Sequence, residues 1–241
     1  MEVYWLLLFF LVAFLYAGIG HGGASGYIAV MTLMAMLPLE IRTNALLLNI
    51  VVASVAFLNF RRKIKPDLSL LMPLFLGSVP MAFLGGSISM PSIAFKWLLA
   101  TVLLIPIVRF IRNDNIKIHE IKVTSFWILW FTGAVIGFIS GLIGIGGGIL
   151  LTPVLLWFSW SNVKQAAILS ALFIVVNSIS GLIGLWKNQI YIPDSFLNIL
   201  GVTLVGGFLG SYFGANRFNE SLLKKILALV LLIAVIKLIW T

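Results

Sequence analysis

Apolar runs follow one another along almost the whole chain, parted only by short polar connectors. A helix rises about 1.5 Å per residue and the hydrocarbon core of a bilayer is about 30 Å thick, so runs of about 17 to 25 residues predict membrane-crossing helices. With 61% apolar and 10% charged residues among 241, the chain has too little polar surface to wrap a water-facing core. Its solvent is therefore lipid, and no connector is long enough to hold a sizeable soluble domain. The predicted segments are 3–19, 24–37, 43–60, 68–88, 94–110, 125–142, 145–158, 164–186, 195–214 and 221–239.

The net charge of +9 does not point to nucleic acid, because nearly all basic residues lie in the connectors, as in proteins that keep positive loops on one side of a membrane. The first run, Val3 to Ile19, follows Glu2 and lacks a basic leader, so it reads as a retained segment rather than a cleaved signal peptide. Cysteine is absent, which excludes disulfides and thiolate metal sites. His21 and His119 are the only imidazoles, so neither a metal nor another cofactor is expected.

The two halves of the chain resemble each other. Ala17-Gly-Ile-Gly-His-Gly-Gly-Ala24 aligns with Gly141-Leu-Ile-Gly-Ile-Gly-Gly-Gly148, and Thr43-Asn44-Ala45-Leu46 with Leu169-Ser170-Ala171-Leu172. Further on, Ile64-Lys65-Pro66-Asp67 matches Tyr191-Ile192-Pro193-Asp194, and Phe83-Leu84-Gly85-Gly86 matches Phe208-Leu209-Gly210-Ser211. Four anchors in one order, at an offset between 124 and 127, indicate duplication. The organisation is thus an N-terminal repeat, 1–110, a cytoplasmic linker, 111–124, and a C-terminal repeat, 125–241.

Each half opens with a stretch, 3–37 or 125–158, that as one helix would reach about 52 Å, so each must break or turn back, most simply at its glycines. If each broken stretch returns to its own side, one face of the membrane collects 12 of the basic residues and the other 4, namely Arg42, Lys96, Lys187 and Lys237. A single crossing per stretch gives a weaker split, about 10 to 6. The expected fold is all-α and polytopic: two repeats of inverted topology, each a glycine-broken helical hairpin followed by three transmembrane helices, with both termini outside the cell. The loop Arg61-Arg62-Lys63-Ile64-Lys65 carries four basic residues against one in its counterpart, Lys187 to Tyr191, consistent with inversion. Inverted repeats with broken helices are a recurrent plan of secondary transporters.

The paired glycine motifs, above all Gly141-Leu-Ile-Gly-Ile-Gly-Gly-Gly-Ile-Leu-Leu-Thr-Pro153 followed by Val163-Lys-Gln-Ala-Ala-Ile-Leu-Ser170, resemble the TauE/SafE family of sulfite and organosulfonate exporters. The likeness covers essentially the whole chain and is closer in the second half; in the first, His21 interrupts the glycine run. The resemblance implies export of a small anion, sulfite, a sulfonate or a related organic anion, across the cell membrane.

A broken helix presents unpaired N–H groups and a partial positive charge at the start of its second piece, and glycine lets an anion approach that backbone. Gly22, Gly23, Gly146, Gly147 and Gly148 are therefore substrate-binding candidates, with tight helix packing as the alternative. His21 can donate to an oxyanion or change protonation, or serve only as a satisfied structural histidine. Asn44 and Ser170 begin equivalent helices, where they either complete an anion's shell or cap their own helices. Asn49 and Asn177 are candidates for the pathway. Arg42 either attracts anions at the outer face or snorkels to the interface. Gly133, Gly137 and Gly141, like Gly206, Gly210 and Gly214, recur every four residues and predict helix–helix contacts. Every acidic residue lies at or near a segment end, which disfavours a buried carboxylate proton relay. A passive anion channel is the nearest rival, and a membrane enzyme or assembly factor a more distant one, since no catalytic set of side chains is apparent. Expected partners are the small anion, the lipid bilayer and, as an option, further copies of the chain, but not nucleic acid.

Overall fold

The computed structural model describes residues 2–111, 124–186, 192–193, 195–214, 232 and 235–236. The linker at 112–123, most of the Lys187 loop and nearly all of the last predicted segment lie outside them. Among the described residues the chain forms helices α1 (Val3–Gly18), α2 (Ala24–Leu33), α3 (Pro38–Arg61), α4 (Leu68–Ser87), α5 (Ser92–Ile111), α6 (Phe126–Ile143), α7 (Gly148–Trp157), α8 (Val163–Leu185) and α9 (Phe196–Gly214), with no strand. Five of these, α3, α4, α6, α8 and α9, are long and apolar enough to cross a membrane.

Both long opening stretches are broken. In the first, helix stops at Gly18 and restarts at Ala24; in the second, it stops at Ile143 and restarts at Gly148. The residues that cap the restarts, Gly23 (φ 97°) and Gly147 (φ 78°), have left-handed backbones that a β-carbon would strain. The second pieces, α2 and α7, have 10 residues each and so span about 15 Å, half a hydrocarbon core. α2 folds back along α1: Ser25 donates to the Tyr16 hydroxyl, Gly26 lies against Val12, and the rings of Phe9 and Tyr27 are 6.0 Å apart.

Three boundaries differ from expectation. α3 begins at Pro38 rather than residue 43, because proline suits the first helical position and the Glu40 carboxylate accepts from the Leu37 N–H. α2 ends at Leu33 rather than 37, in a turn where Ala35 adopts φ 58°. α7 starts at Gly148 rather than 145, because the left-handed glycines prolong the break.

The glycine series identify the main seams and their directions. Gly133, Gly137 and Gly141 of α6 lie against the backbones of Leu74, Ser78 and Ala82 of α4, so these helices rise together. Gly206 and Gly210 of α9 meet Phe10 and Phe14 of α1 in the same sense. α8 runs with α4, as Ser180 donates to the Val79 carbonyl and Gly184 abuts Phe83. α3 runs with α9, through Val52 against Gly207 and Asn59 donating to Ser211. α3 and α8 oppose each other: Gln165, near the start of α8, reaches the Lys65 carbonyl past the end of α3, while Gly181 lies beside Leu46. Two sets of parallel helices result, α1, α3 and α9 against α4, α6 and α8.

At these seams backbone meets backbone, which leaves no flexible neighbour to move aside. Gly137→Leu is expected to destabilise the fold by about 1–3 kcal/mol or more, the usual cost of overpacking. Thermal unfolding followed by size-exclusion chromatography in detergent checks this.

Candidate functional site

The two breaks meet at one side chain. Asn49, fully buried in the middle of α3, accepts from the Ala24 N–H at the start of α2 (3.0 Å) and donates through Nδ2 to the Ile145 carbonyl in the other break (3.1 Å). A β-carbon on Gly22 would sit 2.5 Å from Asn49 Oδ1, and one on Gly146 would sit 2.6 Å from its Nδ2. Both would also meet Ile174 of α8. The short helices α2 and α7 therefore point their N-termini at each other across the Asn49 amide. Each such end carries a positive potential equivalent to about half a charge.

Beside Asn49 lies a cavity of about 10 Å³, the size of a water molecule, lined by Tyr16, His21, Gly22, Gly23, Ala24, Ser25, Asn49, Ile145, Ile149 and Ile174. Every one of these residues is buried.

His21 ties the first break to the second half of the chain. Its Nδ1 lies 3.1 Å from the Ile19 carbonyl and its Nε2 3.0 Å from Thr152 Oγ1, which is 2.7 Å from Ser170 Oγ. A carbonyl only accepts, so Nδ1 carries a hydrogen; in the neutral ring Nε2 then accepts from Thr152, and Thr152 from Ser170. The row joins the loop before α2, the body of α7 and the interior of α8.

Of the residues singled out from sequence, His21, Gly22, Gly23 and Asn49 line the cavity. Ser170 reaches it through Thr152. Gly146, Gly147 and Gly148 form the opposing break: Gly146 lies against Asn49 and Ser178, Gly147 against Phe173 and Ile136, and Gly148 against Ile174. Asn44 and Asn177 stand apart, each donating to a carbonyl four residues back in its own helix, Glu40 and Phe173. Asn44 and Ser170 do not cap their helices: Pro38 opens α3, and Asn162 caps α8 by accepting from the Gln165 N–H.

Arg42 neither snorkels nor faces the outer water. It is 3% exposed and donates to the carbonyls of Gly85, Gly86 and Ile88 at the end of α4 and of Gly141 at the end of α6, at 3.0–3.2 Å. These carbonyls lie at helix C-termini, where intrahelical partners run out and the dipole favours a cation.

Sequence reasoning missed Thr152, Tyr16, Ser25, Tyr27 and Ser178. Tyr27 and Ser178 are fully buried, and neither hydroxyl has a hydrogen-bond partner among the described residues. Threonine and serine in apolar helices ordinarily bond their own backbone, so nothing local marks Thr152 as reaching across the fold.

Comparison with known proteins agrees with a membrane protein. A probable membrane transporter protein of Sinorhizobium fredii is 32% identical over 236 residues, 96% of each chain. One from Bacillus subtilis is 24% identical over 227 residues, 89% of each chain. A shorter match, 41% over 70 residues, covers 29% of this chain and 25% of a probable membrane transporter protein of Methanocaldococcus jannaschii. No solved structure gives a significant match. The family model for the sulfite exporter TauE/SafE matches residues 5–238, so this multi-pass membrane protein belongs to the TauE/SafE family of transporters.

Proposed function

We propose that the chain exports a small anion, sulfite, a sulfonate or a related organic anion, across the cell membrane by alternating access at the Asn49 cavity between two inverted repeats. The observation that carries this reading is the head-to-head meeting of two half-membrane helices, whose N-termini attract an anion without a formal charge on the protein. The repeats are residues 1–110 and 125–241, with the intervening linker in the cytoplasm and both termini outside. Supporting the inversion, the counterparts α1 and α6, α3 and α8, and α4 and α9 fall one in each of the two opposed helix sets. Exchanging the conformations of such halves would open the central cavity to alternate sides.

Purified protein in liposomes is expected to move sulfite, methanesulfonate or a small carboxylate with saturable kinetics, driven by voltage without an imposed proton gradient. Single-channel currents would instead establish a pore. Gly22→Ala tests the site itself. Its backbone does not have positive φ, but the added carbon presses on the Asn49 amide oxygen that accepts from Ala24, so some stability is lost and flux is compared per folded protein, verified by size-exclusion chromatography. Flux is expected to fall at least about tenfold, equivalent to about 1.4 kcal/mol. Unchanged flux in a normally folded Gly22→Ala variant would remove this cavity from the transport path.

A further inference from the structure

We propose that the ligand of the Asn49 cavity is a singly charged oxyanion, such as hydrogensulfite or a sulfonate, and not a doubly charged one such as sulfite or sulfate. This rests on the anion-carrier reading above and specifies the charge of its substrate.

Among the described residues no Lys, Arg, Asp or Glu side chain lines the cavity; its polar side chains are Tyr16, His21, Ser25 and Asn49, and in its neutral form His21 adds no charge and accepts from Thr152. Arg42, the one buried Lys, Arg, Asp or Glu among the described residues, is committed to carbonyls at the ends of α4 and α6 and is not part of the lining. Positive potential at the site comes from the two helix ends, and two half-charges sum to about one. The cost of removing an ion from water grows with the square of its charge, whereas its attraction to a fixed potential grows only in proportion. A monoanion is therefore matched here, and a second charge is not.

Two hydroxyls independently indicate an oxygen-rich ligand. Ser178 Oγ and Tyr27 Oη are buried with no hydrogen-bond partner among the described residues; neither is part of the cavity lining, but they lie 2.7 and 2.8 Å from where β-carbons on Gly146 and Gly23 would sit, one hydroxyl at each break. Buried donors without acceptors are uncommon, and an anion's oxygens would supply the missing acceptors. The Asn49 side-chain oxygen already occupies an acceptor's place on the Ala24 N–H. An entering oxyanion takes that place as the Asn49 amide swings aside, enlarging a space that now holds only a water-sized volume.

The test uses the full chain in proteoliposomes, with flux measured above protein-free vesicles. Total sulfite is held constant while pH is raised through its second ionisation, with methanesulfonate, a permanent monoanion, and sulfate, a permanent dianion, as references. Sulfite flux is expected to fall about tenfold per pH unit above that ionisation, methanesulfonate flux to stay level, and sulfate flux to be at least tenfold below methanesulfonate. The titratable or charged side chains on the elements around the cavity are His21 and Tyr16 at its wall, Tyr4 on α1, Tyr27 on α2, Glu40, Arg42 and Arg61 on α3, and Lys164 on α8; α6 and α7 have none. Their titration would alter sulfite and methanesulfonate flux alike. Parallel pH profiles for those two anions overturn the inference, as does sulfite flux that holds or rises with pH, or sulfate flux equal to that of methanesulfonate. If none of the three moves at any pH, the anion-carrier reading itself fails.

Discussion

Asn49→Leu is expected to abolish transport and to lower stability by about 2–6 kcal/mol. The substitution nearly conserves volume but leaves the Ala24 N–H and the Ile145 carbonyl without the partner that joins them. An interhelical side-chain bond in a membrane is worth only about 0.6–2 kcal/mol, because the unassembled helices find other partners. The larger estimate applies because two backbone groups are orphaned away from water, at about 1–3 kcal/mol each. Asn49→Asp provides the complementary measurement. Its similar shape retains an acceptor for Ala24 but loses the donor to Ile145, and an ionised carboxylate would place negative charge at the proposed substrate position, so flux is expected to fall by at least tenfold with a smaller loss of stability than in Asn49→Leu. Liposome flux and thermal unfolding, taken together, separate loss of the site from loss of the fold.

Arg42→Met is expected to destabilise the protein by roughly 3 kcal/mol or more. Hydrogen bonds to a charged group contribute about 1.5–3 kcal/mol each, and Arg42 reaches four carbonyls, three of which share the two hydrogens of Nη2. The sum is offset in part because removing the side chain also removes the cost of burying a guanidinium. Arg42→Lys is expected to recover only part of the loss: an ammonium has three donors at a single point and cannot reach carbonyls spread over two helix ends. The ordering wild type, lysine, methionine in unfolding temperature checks the assignment. Equal temperatures for the lysine variant and the wild type would show that charge alone matters there.

Much of this arrangement was legible from residue patterns, and the illegible part has a common cause. Glycine spacing at 133, 137 and 141 marked a contact face correctly, because a fourfold interval places residues on one side of a helix. It could not name the partner, since Leu74, Ser78 and Ala82 contribute only backbone there. The broken stretches were readable from length against membrane thickness, and the break points from their glycines. Arg42 was misplaced because its partners are carbonyls freed by the ends of other helices, which no side-chain pattern records. Asn44 was set at a helix start because Pro38 and Glu40 lay in what looked like a connector, although together they make a good helix opening. Thr152 was invisible because its partners, His21 and Ser170, are 131 and 18 residues away.

The cross-pairing of helices also has a consequence for how the protein is made. α1 finds its closest seam with α9, and α4 with α6, so neither early helix can complete its packing from the chain that precedes the linker. During synthesis α1 is made before α9, and its contact backbones at Phe10 and Phe14 cannot meet Gly206 and Gly210 until the intervening chain has been made. Truncated chains ending before α9 should therefore be targets for quality control, whereas the two halves supplied as separate polypeptides should find each other and assemble.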